Sequence, residues 1–244
     1  MKEVTYKAMK NLLISILTAV ALLLPATSYT QTPTQQDVAE LISMAESGDA
    51  DAQNAAGLMY ALGLGVEQDN TEALRWFHKA ADQGDVFGQF SIGFIYANGL
   101  GVEQDYGEAL KWYRKAADQG HAGAQFNIGE MYYFGRGVRQ DYHDAMKWYR
   151  KAVDQGDAEA QFSIGLMYDN GHGVKQDYHE AMKWYRKAAD QGDAEAQNNI
   201  GVMYDNGQGV RQDKRKAKEW FGKACDNGSQ TGCDNYRILN EQGY

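Results

Sequence analysis

Catalysis needs nucleophiles, proton carriers or metal ligands brought together, so the histidines, serines, cysteines and carboxylates of this 244-residue chain are placed first. Five histidines occur, and His143 and His179 share one register, each two residues after an aspartate (Asp141, Asp177). Equivalent positions on neighbouring packed helices lie ~10 Å apart, too far to ligate one ion together, so both read as exposed helix residues. His78, His121 and His172 have no ligand motif around them, and paired carboxylates such as Asp82 and Asp118 fall in the same repeating register. No metal site and no cofactor is expected. Ser43, Ser47, Ser91, Ser163 and Ser229 lack the strand-turn-helix elbow that presents a nucleophilic serine. Lys214-Arg-Lys-Ala-Lys218 stands out in an acidic chain and reads as a solvated face, the alternative being a docking edge for anionic lipid or an acidic partner.

What must position these residues is a repeat. Gly48, Gly84, Gly120, Gly156, Gly192 and Gly228 recur every 36 residues, and Trp76, Trp112, Trp148, Trp184 and Trp220 follow the same interval. Five full units result, 49–84, 85–120, 121–156, 157–192 and 193–228, with no linker between them. In the fourth unit Ala160, Ile164, Met167 and Tyr168 recur at three-to-four spacing and predict a first helix with one apolar face. Gly171 and Gly173 end it, and Asp177 with Glu180 predicts a capping box for a second helix carrying Tyr178, Ala181, Met182, Trp184, Tyr185, Ala188 and Ala189. Asp69/Glu72, Asp105/Glu108 and Asp141/Asp144 repeat that cap.

Both prolines, Pro25 and Pro33, precede the repeats, leaving a helical body. Gly57, Gly93, Gly129, Gly165 and Gly201 fall inside the first helices, where each costs about 1 kcal/mol of helix propensity. Close approach of two helix backbones is the gain expected in return. The fold class is therefore all-α, a right-handed α/α solenoid of stacked helix-turn-helix repeats over residues 33–244, with Gln36 to Ser47 as a lone capping helix and a further helix after Gly228.

Lys2, Lys7 and Lys10 precede an apolar run from Leu12 to Leu24, and Pro25, Ala26 and Ser28 supply a cleavage point after residue 28. This is a signal-peptide pattern, with an uncleaved anchor as the alternative. Export to the periplasm or beyond is expected. Removing residues 1–28 takes away three lysines and one glutamate and moves the net charge from −9 to −11, a surface that repels nucleic acid. Membrane association would come only through that N-terminal segment.

The unit A-x-A-Q-x-x-I-G-x-M-Y-x-x-G-x-G-V-x-Q-D-Y-x-x-A-x-K-W-Y-R-K-A-A-D-Q-G resembles the Sel-one-like repeat family, relatives of tetratricopeptide repeats, over about four fifths of the chain. Many members carry Pro before the loop Gln-Asp, where this chain has Glu67, Glu103, Arg139, Lys175 and Arg211. The resemblance implies an adaptor that binds a protein or peptide partner. Members of the family's cysteine-rich branch are labelled β-lactam-binding or β-lactamase, so a β-lactam or cell-wall hydrolase is the alternative function; yet no serine here is followed by the Lys of a Ser-x-x-Lys site. Cys225 and Cys233 are spaced like the cysteines of that branch, and the turn between them permits the ~4.4–6.8 Å Cα separation of a disulfide.

Comparing the repeats with one another locates the candidate site. Gln, Gly and Tyr of the first helix never change, whereas positions −6, −3, +1, +4 and +5 from that Gly vary and share one helix face. In the tetratricopeptide relatives this face lines a concave groove. Phe87, Phe94, Tyr133 and Phe134 are the expected exposed anchors, and Glu130, Asp169, Asn170, Asp205 and Asn206 complete the expected partner-binding set. Phe90, Phe126 and Phe162 are read as equally core or groove, and Lys151 and Lys187 as the convex side.

Overall fold

A computed structural model describes residues 34–244. The segment read as a signal peptide lies outside the described residues. Within them the chain is all-α, with twelve helices and no strand. A single helix, α1 (Gln35–Glu46), precedes five hairpins: α2 (Ala50–Leu62) with α3 (Asn70–Asp82), α4 (Val86–Asn98) with α5 (Tyr106–Asp118), α6 (Ala122–Phe134) with α7 (Tyr142–Val153), α8 (Ala158–Asn170) with α9 (Tyr178–Asp190), and α10 (Ala194–Asn206) with α11 (Lys214–Asp226). The final helix is α12 (Gln230–Glu241). Two compact units divide the chain, one ending at Gln119 with α1 to α5 and one starting at Gly120 with α6 to α12. In each, consecutive helices pack against one another.

Each first helix closes on a left-handed glycine, Gly63, Gly99, Gly135, Gly171 or Gly207, with φ between 65° and 73°. That backbone region strains any residue with a Cβ. The following loop is held without proline. Gln68, Gln104, Gln140, Gln176 and Gln212 donate their side-chain amides, at 2.6–2.8 Å, to the carbonyls of Ala61, Ala97, Tyr133, Asp169 and Asp205 in the last turn of the helix just completed.

Asp69, Asp105, Asp141, Asp177 and Asp213 cap the second helices by accepting from their first-turn N–H groups. The expected capping box forms only by half. The N–H of each capping Asp donates instead to the carbonyl of the invariant Tyr60, Tyr96, Tyr132, Tyr168 or Tyr204 at 2.9–3.0 Å, tying the two helices of a hairpin together. Glu72, Glu108, Asp144 and Glu180 accordingly turn to Arg75, Lys111, Lys147 and Lys183 three residues on, at 2.5–2.7 Å. A complete box occurs at Thr34 and Asp37 of α1.

The invariant glycines contact rings rather than a second backbone. A Cβ built on Gly57, Gly93, Gly129, Gly165 or Gly201 would meet Phe77, Tyr113, Tyr149, Tyr185 or Phe221 at 2.5–2.7 Å, so the gain that offsets the poor helix propensity is an aromatic ring packed close against the helix. The buried invariant glutamines act as clamps. Gln53, Gln89, Gln125, Gln161 and Gln197 accept from Gln83, Gln119, Gln155, Gln191 and Asn227 at the end of their own hairpin at 2.8–3.0 Å. Gln53 and Gln197 also donate backwards to the carbonyls of Ala45 and Ala189.

The tryptophans are buried or half-buried on the second helices, and a lysine lies over each ring: Lys79, Lys115, Lys151, Lys187 and Lys223 at 3.7–4.2 Å from the centroids. Lys151 and Lys187 are therefore also part of the framework, worth roughly 0.5–1 kcal/mol each as cation–π partners.

Candidate functional site

With Gln, Gly and Tyr all absorbed by the framework, the varying face of the first helices is what each unit has left to offer. In the first unit Phe87 is exposed and Phe94 half-buried. Phe90 tilts against Tyr113 with centroids 5.7 Å apart, which places it partly in the core. The first repeat adds little surface, since Leu58 is buried and Asn54 gives its amide to Asp85 at 2.6 Å.

In the second unit four rings converge. Tyr133 stands edge-on to Phe134 at 4.9 Å and to Tyr142 at 5.1 Å. His172, between Gly171 and Gly173 of the next loop, stacks flat on Tyr142 at 4.7 Å, and its Nδ1 shares a 2.7 Å hydrogen bond with the Tyr133 hydroxyl. Phe134 is 51% exposed, the most exposed large apolar side chain described, and Arg136 lies over its face at 4.7 Å. Phe126 and Phe162 tilt onto Tyr149 and Tyr185, as Phe90 does onto Tyr113.

The acidic residues expected to contact a partner are engaged inside the protein. Glu130 accepts from the Tyr149 hydroxyl at 2.5 Å, and burial raises its pKa, against the Tyr149 bond and the charge of Arg136. Asp169 accepts from Tyr185 at 2.9 Å, and Asp205 pairs with Lys214 at 2.6 Å. Burial, reinforced by these carboxylates, raises the pKa of both tyrosines far above the ordinary phenol value. Asn170 turns its amide back to the Leu166 carbonyl of its own helix. Asn206 remains exposed.

The face closes at the fifth repeat, where Asn198 is buried and accepts from Asn235 of α12. Ser229 donates to Glu195 nearby. In the basic stretch Arg215 and Lys216 stay exposed, while Lys214 and Lys218 are engaged. Lys214 binds Asp205, while Lys218 donates to Asn240 and the Tyr244 carbonyl and lies 5.3 Å from the Tyr236 ring. Cys225 and Cys233 meet with Cα atoms 4.5 Å apart.

His143 and His179 are exposed, and His121 caps α6 where other units have Asp. Among the described residues no group of His, Cys, Asp or Glu could hold a metal ion, and no helix is long and apolar enough to cross a membrane. Sequence reasoning missed the role of His172. Its signal was the residue between the loop glycines, which reads Leu64, Leu100, Arg136, His172 and Gln208 along the repeats.

The Sel1 repeat model matches residues 50–85, 86–121, 122–157, 158–193 and 194–229, one residue later than the units counted from sequence. Among solved structures the chain is similar to a protective antigen present in uropathogenic Escherichia coli strains, at 39% identity and TM-score 0.78, covering 84% of this chain. It spans 44% of that antigen's chain. It is also similar to a Sel1 repeat protein from Oxalobacter formigenes, at 37% identity and TM-score 0.78, over 89% of this chain and 84% of the other. An immunity protein from Pseudomonas aeruginosa shares the fold alone, at 22% identity and TM-score 0.57 over 89% of this chain and 82% of its own. No curated protein matches the chain.

Proposed function

The chain belongs to the Sel1 repeat family, typically protein-interaction modules, and from that premise we propose that it is an exported, non-catalytic adaptor that binds a protein or peptide partner on the varying face of its first helices. One observation supports this above the others. Every invariant residue of the first helix has a framework task, as clamp, ring seat or cap acceptor, whereas Phe87 and Phe134 stand exposed at positions the framework leaves open. Exposed aromatics beside polar residues are the usual anchors of recognition, and truncating such an anchor costs ~2 kcal/mol or more. The apolar run after Lys10 and the pairing of Cys225 with Cys233 as a disulfide fit an oxidising, exported setting.

The test is affinity capture from the native envelope, followed by binding of the identified partner to wild type, to Phe87→Ala with Phe134→Ala, and to Lys147→Ala with Lys183→Ala. The two lysines are exposed and hold only i,i+3 ion pairs. Loss of binding in the lysine variant, with the aromatic variant unaffected, moves the site to the second helices. Turnover of a chromogenic β-lactam by the purified chain would replace the adaptor reading with the hydrolase.

A further inference from the structure

In four repeats the third residue of the second helix is acidic, Glu72, Glu108, Asp144 and Glu180, and in the fifth it is Lys216. Lys214 and Arg215 precede it, so the first three positions of α11 are all cationic. The amino end of a helix favours anions, and adjacent cations repel one another. Four hairpins of the same design avoid this arrangement, so it is held against the preference of the framework.

The chain's own carboxylates leave much of that charge open. Asp205 takes Lys214 at 2.6 Å, but Asp213 caps α11 and lies 3.8 Å from Lys216, near the outer limit of an ion pair. Arg215 and, in the loop just before the helix, Arg211 are exposed and hold no hydrogen bond, ion pair or ring contact among the described residues. These four cations line a cleft of about 820 Å³ with the rings of Tyr204 and Tyr244 in its walls. Lys214 lies 5.6 Å from the Tyr244 ring and Lys216 5.6 Å from that of Tyr204, so charges and rings form one surface.

The chemistry of that surface suits carboxylates on a polypeptide. A guanidinium holds a carboxylate through two parallel N–H bonds, and arginine and tyrosine are the residue types that anchor protein interfaces. Tyr204 and Lys214 are half-buried, which makes the site a recess that an extended chain can enter and the plane of a lipid surface cannot follow.

We propose that this cleft binds a glutamate- or aspartate-rich segment of a partner protein, held by Arg211, Arg215 and Lys216. The inference does not rest on the varying face of the first helices. A fluorescein-labelled hexaglutamate peptide is titrated at ~0.1 M salt, where a Debye length of ~10 Å screens the acidic remainder of the chain. The proteins compared are wild type, a cleft variant combining Arg211→Gln, Arg215→Gln and Lys216→Gln, and a control combining Lys111→Gln, Lys147→Gln and Lys183→Gln. The control removes the same charge from exposed lysines that hold i,i+3 ion pairs. Wild type and control should bind alike, and the cleft variant at least tenfold more weakly. Lys216→Glu, which restores the residue type of the other repeats, should raise the melting temperature yet weaken binding, so that the loss is not one of folding. Equal weakening in the cleft variant and the control would show attraction to any cation and overturn the site. Failure of wild type to bind hexaglutamate overturns it too, and if phosphatidylglycerol vesicles then bind wild type but not the cleft variant, the surface belongs to a membrane instead.

Discussion

Cys233 occupies in α12 the register that Gln197 holds in α10, and it meets Cys225, which stands in the register of Ala189. In the interior the same eight-residue step is bridged by a hydrogen bond, from the Gln197 amide to the Ala189 carbonyl at 3.2 Å and from Gln53 to Ala45 at 3.0 Å. At the last helix two sulfurs thus stand within bonding distance at the point where Gln53 and Gln197 hold their helices by an amide.

If these sulfurs are bonded, denatured and unreduced material will titrate with no free thiol. Two thiols per chain would refute the pairing. Closing so short a loop stabilises by about 2–3 kcal/mol on the chain-entropy account, so Cys225→Ser with Cys233→Ser should lower the urea midpoint without altering helix content.

Gly165→Leu should destabilise by about 1–3 kcal/mol, because even the first added carbon would stand 2.6 Å from the Tyr185 ring. The cause is separable from helix propensity, which alone would make a larger residue favourable. Shrinking the ring in a Gly165→Ala with Tyr185→Leu pair should recover part of the loss relative to the sum of the single variants in a double-mutant cycle. Strict additivity would show that the ring is not the obstacle.

Gln161→Leu leaves the Gln191 amide without its 3.0 Å acceptor, although that amide keeps the Gly156 carbonyl. A cost of about 0.5–1.5 kcal/mol is expected from the lost hydrogen bond, since Gln191 is exposed and its amide keeps one acceptor. Chemical denaturation measures it, and an unchanged midpoint would show that the clamp carries no stability.

Burial raises the pKa of Glu130 in the folded state, which fixes the sign of its pH effect. Below the ordinary glutamate range both folded and unfolded forms are protonated and the residue is neutral to stability. As pH rises through that range and on through the raised folded value, the unfolded chain ionises first and the fold is penalised. Glu130→Gln should therefore gain stability over wild type as pH increases across that window, and hold the gain above it. Parallel unfolding curves from pH 4 to 8 test this, and a constant difference would mean that Glu130 ionises as freely in the fold as in water.

The 36-residue period, two helices per unit, their glycine ends and aspartate caps were legible in the sequence because they depend on neighbours a few residues away, where backbone geometry alone decides which groups meet. The separation of invariant from varying positions was legible too, since five copies of one unit can be compared inside a single chain. What lies across from each position was not. Helical spacing says that Gly165 and Glu130 share a face with certain residues, but not which side chain from the adjoining helix reaches them. Only packing decided that Gly165 faces the Tyr185 ring rather than a backbone, and that Asp169 and Asp205 are taken by Tyr185 and Lys214. Those outcomes depend on side-chain reach between the two helices of a hairpin, and the periodicity of either helix alone does not contain it.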